Sequence, residues 1–219
     1  MTVQVRSTAL AFVLLLVSTA ALRAEIIDRI LAVIEGQLIT LSDVRAVTRL
    51  GLETAPESGD PVLAVLDKLI DRHLMLVEVD RYAPPEPSTA EIDAQFQVVQ
   101  KRFADALALE TVLVQVGWSR DDVRRYVRDE LRIERYLQQR FTATIQPSDE
   151  ELAAYYRLRA DEYTRGGVLA PFAEVRDEVR NRFVRERRAT LVRDWLVGLR
   201  RRANIAQLYL GNTAPTGKF

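Results

Sequence analysis

Side chains able to carry covalent, metal or proton chemistry are scarce in this chain. Its 219 residues include no Cys and a single His, His73. A thiol nucleophile, a disulfide framework and a Cys-based zinc site are excluded. One His builds neither a metal site nor a histidine relay. Within a helical apolar pattern it reads as a surface or boundary residue rather than a ligand or pH sensor. Adjacent carboxylates, Asp121/Asp122 and Glu150/Glu151, would suit acid–base work. Each pair lies just after a serine, Ser119 or Ser148, where first-turn acids complement the helix dipole instead. Two arginine runs, Arg185/Arg187/Arg188 and Arg200 to Arg202, would suit phosphate contacts. They interleave with Glu178, Glu186 and Asp194 and read as a solvated helix face. No G-x-G-x-x-G, P-loop, H-E-x-x-H or G-x-S-x-G motif is present. The expectation is a protein that is not an enzyme, with no catalytic residue, metal or cofactor.

Composition points the same way. Lys+Arg and Asp+Glu are both 31, so the whole molecule makes no case for nucleic acid or an anionic membrane surface. An apolar fraction of 48% and a charged fraction of 28% allow a real core. The length suits one domain with appendages. At the N-terminus, Arg6 precedes an apolar run from Ala9 to Val17, and small residues follow, among them Ser18, Ala20 and Ala24. This is the pattern of a Sec-type signal peptide, too short for the ~20 residues of a membrane span. Residues 1–24 are read as that signal, with cleavage after Ala24 and Ala20 as the alternative. Loss of Arg6 and Arg23 leaves 29 basic against 31 acidic residues. The expected location is the periplasm, with no transmembrane span in the mature chain.

The elements that would position any site are helices, framed by strands. Ile26 to Ile34 and Gln37 to Thr40 surround Glu35-Gly36 and predict a β-hairpin. Thr40 with Asp43 caps a short helix ending near Gly51. Asp60-Pro61 opens a helix with Leu63, Leu66, Leu69, Ile70, Leu74 and Val77 at helical spacing, through about Tyr82. Ser88 with Glu91 starts a helix bearing Ile92, Phe96, Val99 and Phe103. A shorter helix carries Leu109 to Val116 and stops at Gly117. Ser119 opens another, with Val123, Tyr126, Val127, Leu131, Tyr136 and Leu137. Ser148 with Glu151 opens one through about Tyr163. Thr164 to Ala170 is read as a linker. Pro171 begins a long final helix to about Arg202, and Ile205 to Leu210 reads as a strand. Gly211 to Phe219 is a loose tail. A lone hairpin is marginal in water, so the last strand is expected to pair with the first hairpin. The fold class is therefore mainly α, with a small antiparallel sheet joining the two ends of a single domain over 25–210.

Seven segments together resemble the N-terminal domain of SurA-type periplasmic chaperones. They are Ile30-Leu-Ala-Val-Ile-Glu-Gly-Gln-Leu-Ile-Thr-Leu-Ser-Asp-Val44, Leu66-Asp-Lys-Leu-Ile-Asp-Arg-His-Leu-Met-Leu76, Glu91-Ile-Asp93, Gly117-Trp-Ser-Arg-Asp-Asp-Val123, Ile133-Glu-Arg-Tyr-Leu137, Pro147-Ser-Asp-Glu-Glu-Leu152 with Tyr155-Tyr156, and Pro171-Phe-Ala-Glu-Val-Arg176. Order and spacing, not any single piece, carry the resemblance. It implies a helical cradle that holds unfolded or extended polypeptide, typically outer-membrane protein precursors, without ATP. In such proteins a parvulin-type prolyl isomerase domain usually sits between the Tyr-Tyr helix and the Pro-Phe helix. Here residues 164–170 alone separate them, far fewer than the roughly ninety a parvulin domain needs, and a loop of ordinary length. No isomerase activity is expected.

Such a chaperone leaves an apolar groove exposed, which ordinary monomers avoid. Unbranched Met and amphipathic aromatics suit promiscuous contact. Met75, Phe96, Trp118, Tyr126 and Tyr136 are the candidate client-binding residues. The competing reading is a dedicated assembly factor that holds one folded exported partner, alone or as a homodimer.

Overall fold

The computed structural model describes residues 28–211. The signal-peptide reading of residues 1–24 and the tail beyond Gly211 lie outside that range. Strands β1 (Ile30–Ile34) and β2 (Gln37–Thr40) lead into helices α1 (Leu41–Arg49), α2 (Pro61–Tyr82), α3 (Thr89–Gln100), α4 (Ala106–Val116) and α5 (Arg120–Leu137). A π-helical turn, Gln138–Thr142, follows α5 directly. Helix α6 (Asp149–Leu158), a 3-10 turn (Ala160–Tyr163), a two-residue hairpin of β3 (Thr164–Arg165) and β4 (Val168–Leu169), the long helix α7 (Phe172–Arg202) and strand β5 (Ile205–Gln207) complete the chain. The protein is mainly helical with a small antiparallel sheet, as the residue pattern implies.

The sheet has the order β2-β1-β5, so both ends of the described chain meet on β1. Glu35 (φ 49°) and Gly36 (φ 85°) both take positive φ, the requirement of a tight primed hairpin turn. The turn is tied to the chain's other end: Glu35 N–H donates to the Asn204 carbonyl (3.1 Å), and Asn204 N–H donates to Glu35 Oε1 (2.7 Å). The β1–β2 register slips at Leu31. The Leu31 carbonyl accepts from the amides of both Leu208 (2.8 Å) and Tyr209 (3.0 Å). The Tyr209 hydroxyl then donates to Asp60 Oδ2 at 2.7 Å, while Oδ1 of the same carboxylate caps α2 by accepting from Val62 and Leu63. One acid thus starts the central helix and anchors the end of the chain.

Local hydrogen bonding explains the helix starts. Thr40, Ser88, Ser119 and Ser148 each close a capping box with the acid three residues on. Such a cap is worth about 1 kcal/mol. At Ser88 the returned bonds and the Arg135 guanidinium hold the Glu91 carboxyl down at about 2. Gly117 ends α4 with φ 71°, a left-handed stop.

Packing then joins the elements into connected apolar clusters. One gathers Leu31, Ile34 and Ile39 of the sheet with Leu66 and Ile70 of α2 and Leu199 of α7. A second joins Leu50, Phe96, Leu109, Leu113 and Val123 across α1, α3, α4 and α5. A third, Leu152, Tyr155, Tyr163, Val175 and Val179, belongs to α6, the 3-10 turn and the first half of α7. A fourth, Val79, Ile133, Tyr136 and Leu137, joins α2 to the end of α5.

Three local readings are corrected. Helix α6 stops at Leu158 rather than near Tyr163, because the last turn tightens to 3-10 and swings Tyr163 into the third cluster. Phe103 lies past the end of α3, though it still packs on the second cluster. The segment read as a linker is a hairpin, since Gly166 (φ 58°) and Gly167 (φ 80°) supply both positive φ values of its turn.

Candidate functional site

The π-turn is the point where the site forms. Its wide ring is closed by Ala143 N–H donating to the Gln138 carbonyl (3.0 Å). Turns of this kind concentrate at functional positions. The extra residue directs Gln139 and Arg140 outward and Phe141 back onto Trp195 of α7, with ring centroids 5.5 Å apart. Tyr136 meets Trp195 at 5.7 Å and Tyr82, at the end of α2, at 5.5 Å. The Arg140 guanidinium lies 5.5–5.9 Å from the centroids of Tyr82, Tyr136, Phe141 and Trp195, and Nη1 donates to the Tyr136 hydroxyl at 3.0 Å. Burial pushes the Tyr136 hydroxyl above the ordinary tyrosine range, and Arg140 opposes it.

Two hollows are lined by this turn, and a third begins at Leu137 just before it. A pocket of about 240 Å³ is lined by Tyr82, Pro84, Tyr136, Gln139 and Arg140. A shallower one of about 520 Å³ lies between Pro85, Glu134, Arg135, Gln138, Gln139 and Ala143. The third, about 430 Å³, is a cleft between α5 and α7. Its floor is Leu137, Ala189, Val192 and Leu196, and its rim is Arg185, Arg188 and Arg193. Arg188 Nη2 bridges to Glu134 at 2.6 Å and holds the two helices side by side.

Helix α7 buries its two ends fully, whereas its middle packs only in part: Phe183, Val192, Trp195 and Leu196 lean on the neighbouring clusters without being buried. Val175, Val179 and Leu199 are buried, but nothing from residue 180 to 198 is. Phe183, Val184, Leu191, Val192, Trp195 and Leu196 are only half-covered. Apolar stems of arginine complete the cover of such a stripe while their heads stay in water.

The five residues singled out from the sequence do not form one groove. Met75, half-buried, and Tyr136 lie together in the fourth cluster, beside the π-turn. Trp118 and Tyr126 pair at 6.2 Å in the seam between the first and second clusters. There Arg72 stacks 3.7 Å from the Tyr126 ring, the hydroxyl donates to Glu53 at 3.0 Å, and burial raises the tyrosine's pKa. Phe96 is 5% exposed within the second cluster, where its ring packs among four helices rather than lining a surface. Tyr82, Arg140, Ala189 and Val192 were missed. Their signal was faint: a wide apolar stripe on the last helix, interrupted by arginines.

Among the described residues, no three His, Cys, Asp or Glu side chains converge to hold a metal. No helix among them is long and apolar enough to cross a membrane. Fold and site together define a helical protein closed by a three-stranded sheet, carrying an open apolar cleft and an aromatic cluster at a π-turn. No known protein-family model matches the chain, and no curated protein is similar enough to count as a relative.

Proposed function

We propose that this protein holds unfolded polypeptides in the periplasm without ATP and without prolyl isomerase activity, its clients being outer-membrane protein precursors. The observation that carries this reading is the open cleft of α7. A helix of 31 residues leaves its middle apolar stripe half-covered, next to a cluster of four aromatic rings. Exposed apolar surface of that kind marks interaction sites. The resemblance of the seven ordered segments to the SurA N-terminal domain supports the same conclusion. So does the hairpin at 164–169, a short connection at the point where isomerase-bearing proteins of the SurA type carry their insertion.

Weak binding suits the task. Burying about 200 Å² of apolar surface at about 25 cal/mol per Å² yields roughly 5 kcal/mol before ordering costs. Clients can then leave unaided, and several such contacts along one chain add up.

Crosslinking tests the placement. A photoreactive amino acid replaces Ala189 on the cleft floor, or Val114, an exposed residue of α4. A urea-unfolded outer-membrane barrel protein is then diluted into each variant and irradiated. Adducts from position 189 and few from 114 support the cleft. Equal yields, or none at 189, contradict it.

A further inference from the structure

The cleft between α5 and α7 is charged as well as apolar. From Arg180 to Arg193 the helix carries six arginines and a single acid, Glu186. Arg182 is committed to Glu162 and Glu186, and Arg188 to Glu134. Arg185 and Arg193 are exposed, line the cleft, and have no carboxylate within 4.0 Å among the described residues. Arg140, around the π-turn, contacts aromatic rings and a tyrosine hydroxyl but likewise no acid. Two cations without an acidic partner, Arg185 and Arg193, thus flank one apolar floor, and Arg140 lines the neighbouring pocket.

We propose that this cleft selects polypeptide segments that are both apolar and acidic. Aliphatic or aromatic side chains of the segment settle on Leu137, Ala189, Val192 and Leu196. Flanking Asp or Glu side chains pair with Arg185 and Arg193, whose planar guanidinium forks match a carboxylate in two-point contact. The proposal rests on the polypeptide-holding reading and adds the class of segment held. A segment fits better than an anionic bilayer because the larger apolar side chains of the floor do not protrude. Leu137 is only 8% exposed, and Val192 and Leu196 are half-covered below the arginine rim. A lipid surface needs apolar side chains that protrude past the cations.

The test uses the purified protein and three fluorescent peptides with one shared Leu/Val/Phe centre, flanked by Asp/Glu, by Asn/Gln, or by Lys/Arg. Binding is read by anisotropy at low and high salt. Two exposed ion pairs are worth roughly tenfold in affinity, so the acidic peptide should bind about tenfold more tightly than the basic one at low salt. High salt should shrink the gap, because the screening length falls to about 3 Å at molar salt. A double variant, Arg185→Glu with Arg193→Glu, should invert the preference. Both side chains are exposed and unpaired, and circular dichroism verifies that the variant is folded. Equal binding of the three peptides, or an unchanged preference in the double variant, overturns acid selection and leaves polypeptide holding intact. Binding of none of the peptides overturns both. Capture of phosphatidylglycerol vesicles with no peptide binding assigns the cleft to lipid and also overturns the proposal.

Discussion

His73 is the one histidine of the sequence, so imidazole titration in this molecule rests on a single ring. It sits half-buried on α2 near Glu35. Desolvation lowers its pKa below the ordinary histidine value, and the Glu35 charge opposes this only in part. The folded state therefore prefers the neutral ring. As pH falls through about 6.5, the unfolded chain takes up a proton that the folded chain resists. The unfolded state then binds more protons, so stability must drop on acidification. Because there is one His, its ring-proton NMR titration is unambiguous. A midpoint below about 6.5 is expected. The urea midpoint should fall between about pH 7 and 5, and His73→Gln should flatten that part of the curve. A midpoint at or above the ordinary value would show instead that desolvation does not outweigh the Glu35 charge.

Elements differ in how readable they were, and the reason is range. The starts at Thr40, Ser88, Ser119 and Ser148 were legible because a capping box is complete within four residues. The pairing of β5 with β1 followed from the instability of a lone hairpin, a global argument that needed no contact information. The π-turn was not legible. Nothing near Gln138 demands it, and the packing of Phe141 on Trp195 involves two residues far apart in the chain. The cleft was illegible for the same reason: Leu137 looks like core and Val192 like helix surface until α5 and α7 are laid together. Phe96 and Tyr126 pack between helices, which the sequence could not show, because an aromatic on an amphipathic helix reads alike whether its face meets a partner or another helix. Strand β5 offers a sharp test of element logic. Ending the chain at Asn204 removes the partner of β1 and the 7%-exposed Tyr209. Loss of a buried aromatic alone costs about 3–5 kcal/mol. Tyr209→Phe removes only the 2.7 Å bond to Asp60, worth about 1 kcal/mol. Urea unfolding should rank the two in that order. Near-equal losses would mean that β5 contributes little beyond its hydroxyl anchor.

At the scale of the whole molecule, α7 is the organising element. Its first half packs with α6 and the 3-10 turn, and its last turns pack on α2 and the sheet. Between those two attachments, Ala189, Val192 and Leu196 line the cleft. Such a design sacrifices burial: fully covering an aliphatic side chain is worth about 1.5–3 kcal/mol, and several on α7 are only half-covered. That surface is explained if polypeptide supplies the missing cover. The most direct measurement is light scattering after dilution of a urea-unfolded outer-membrane barrel protein into buffer containing the chain from Glu25 onward, with an unrelated helical protein as control. The account predicts suppressed aggregation at near-stoichiometric ratios, with none from the control. Unchanged scattering would contradict it and point to a single dedicated partner.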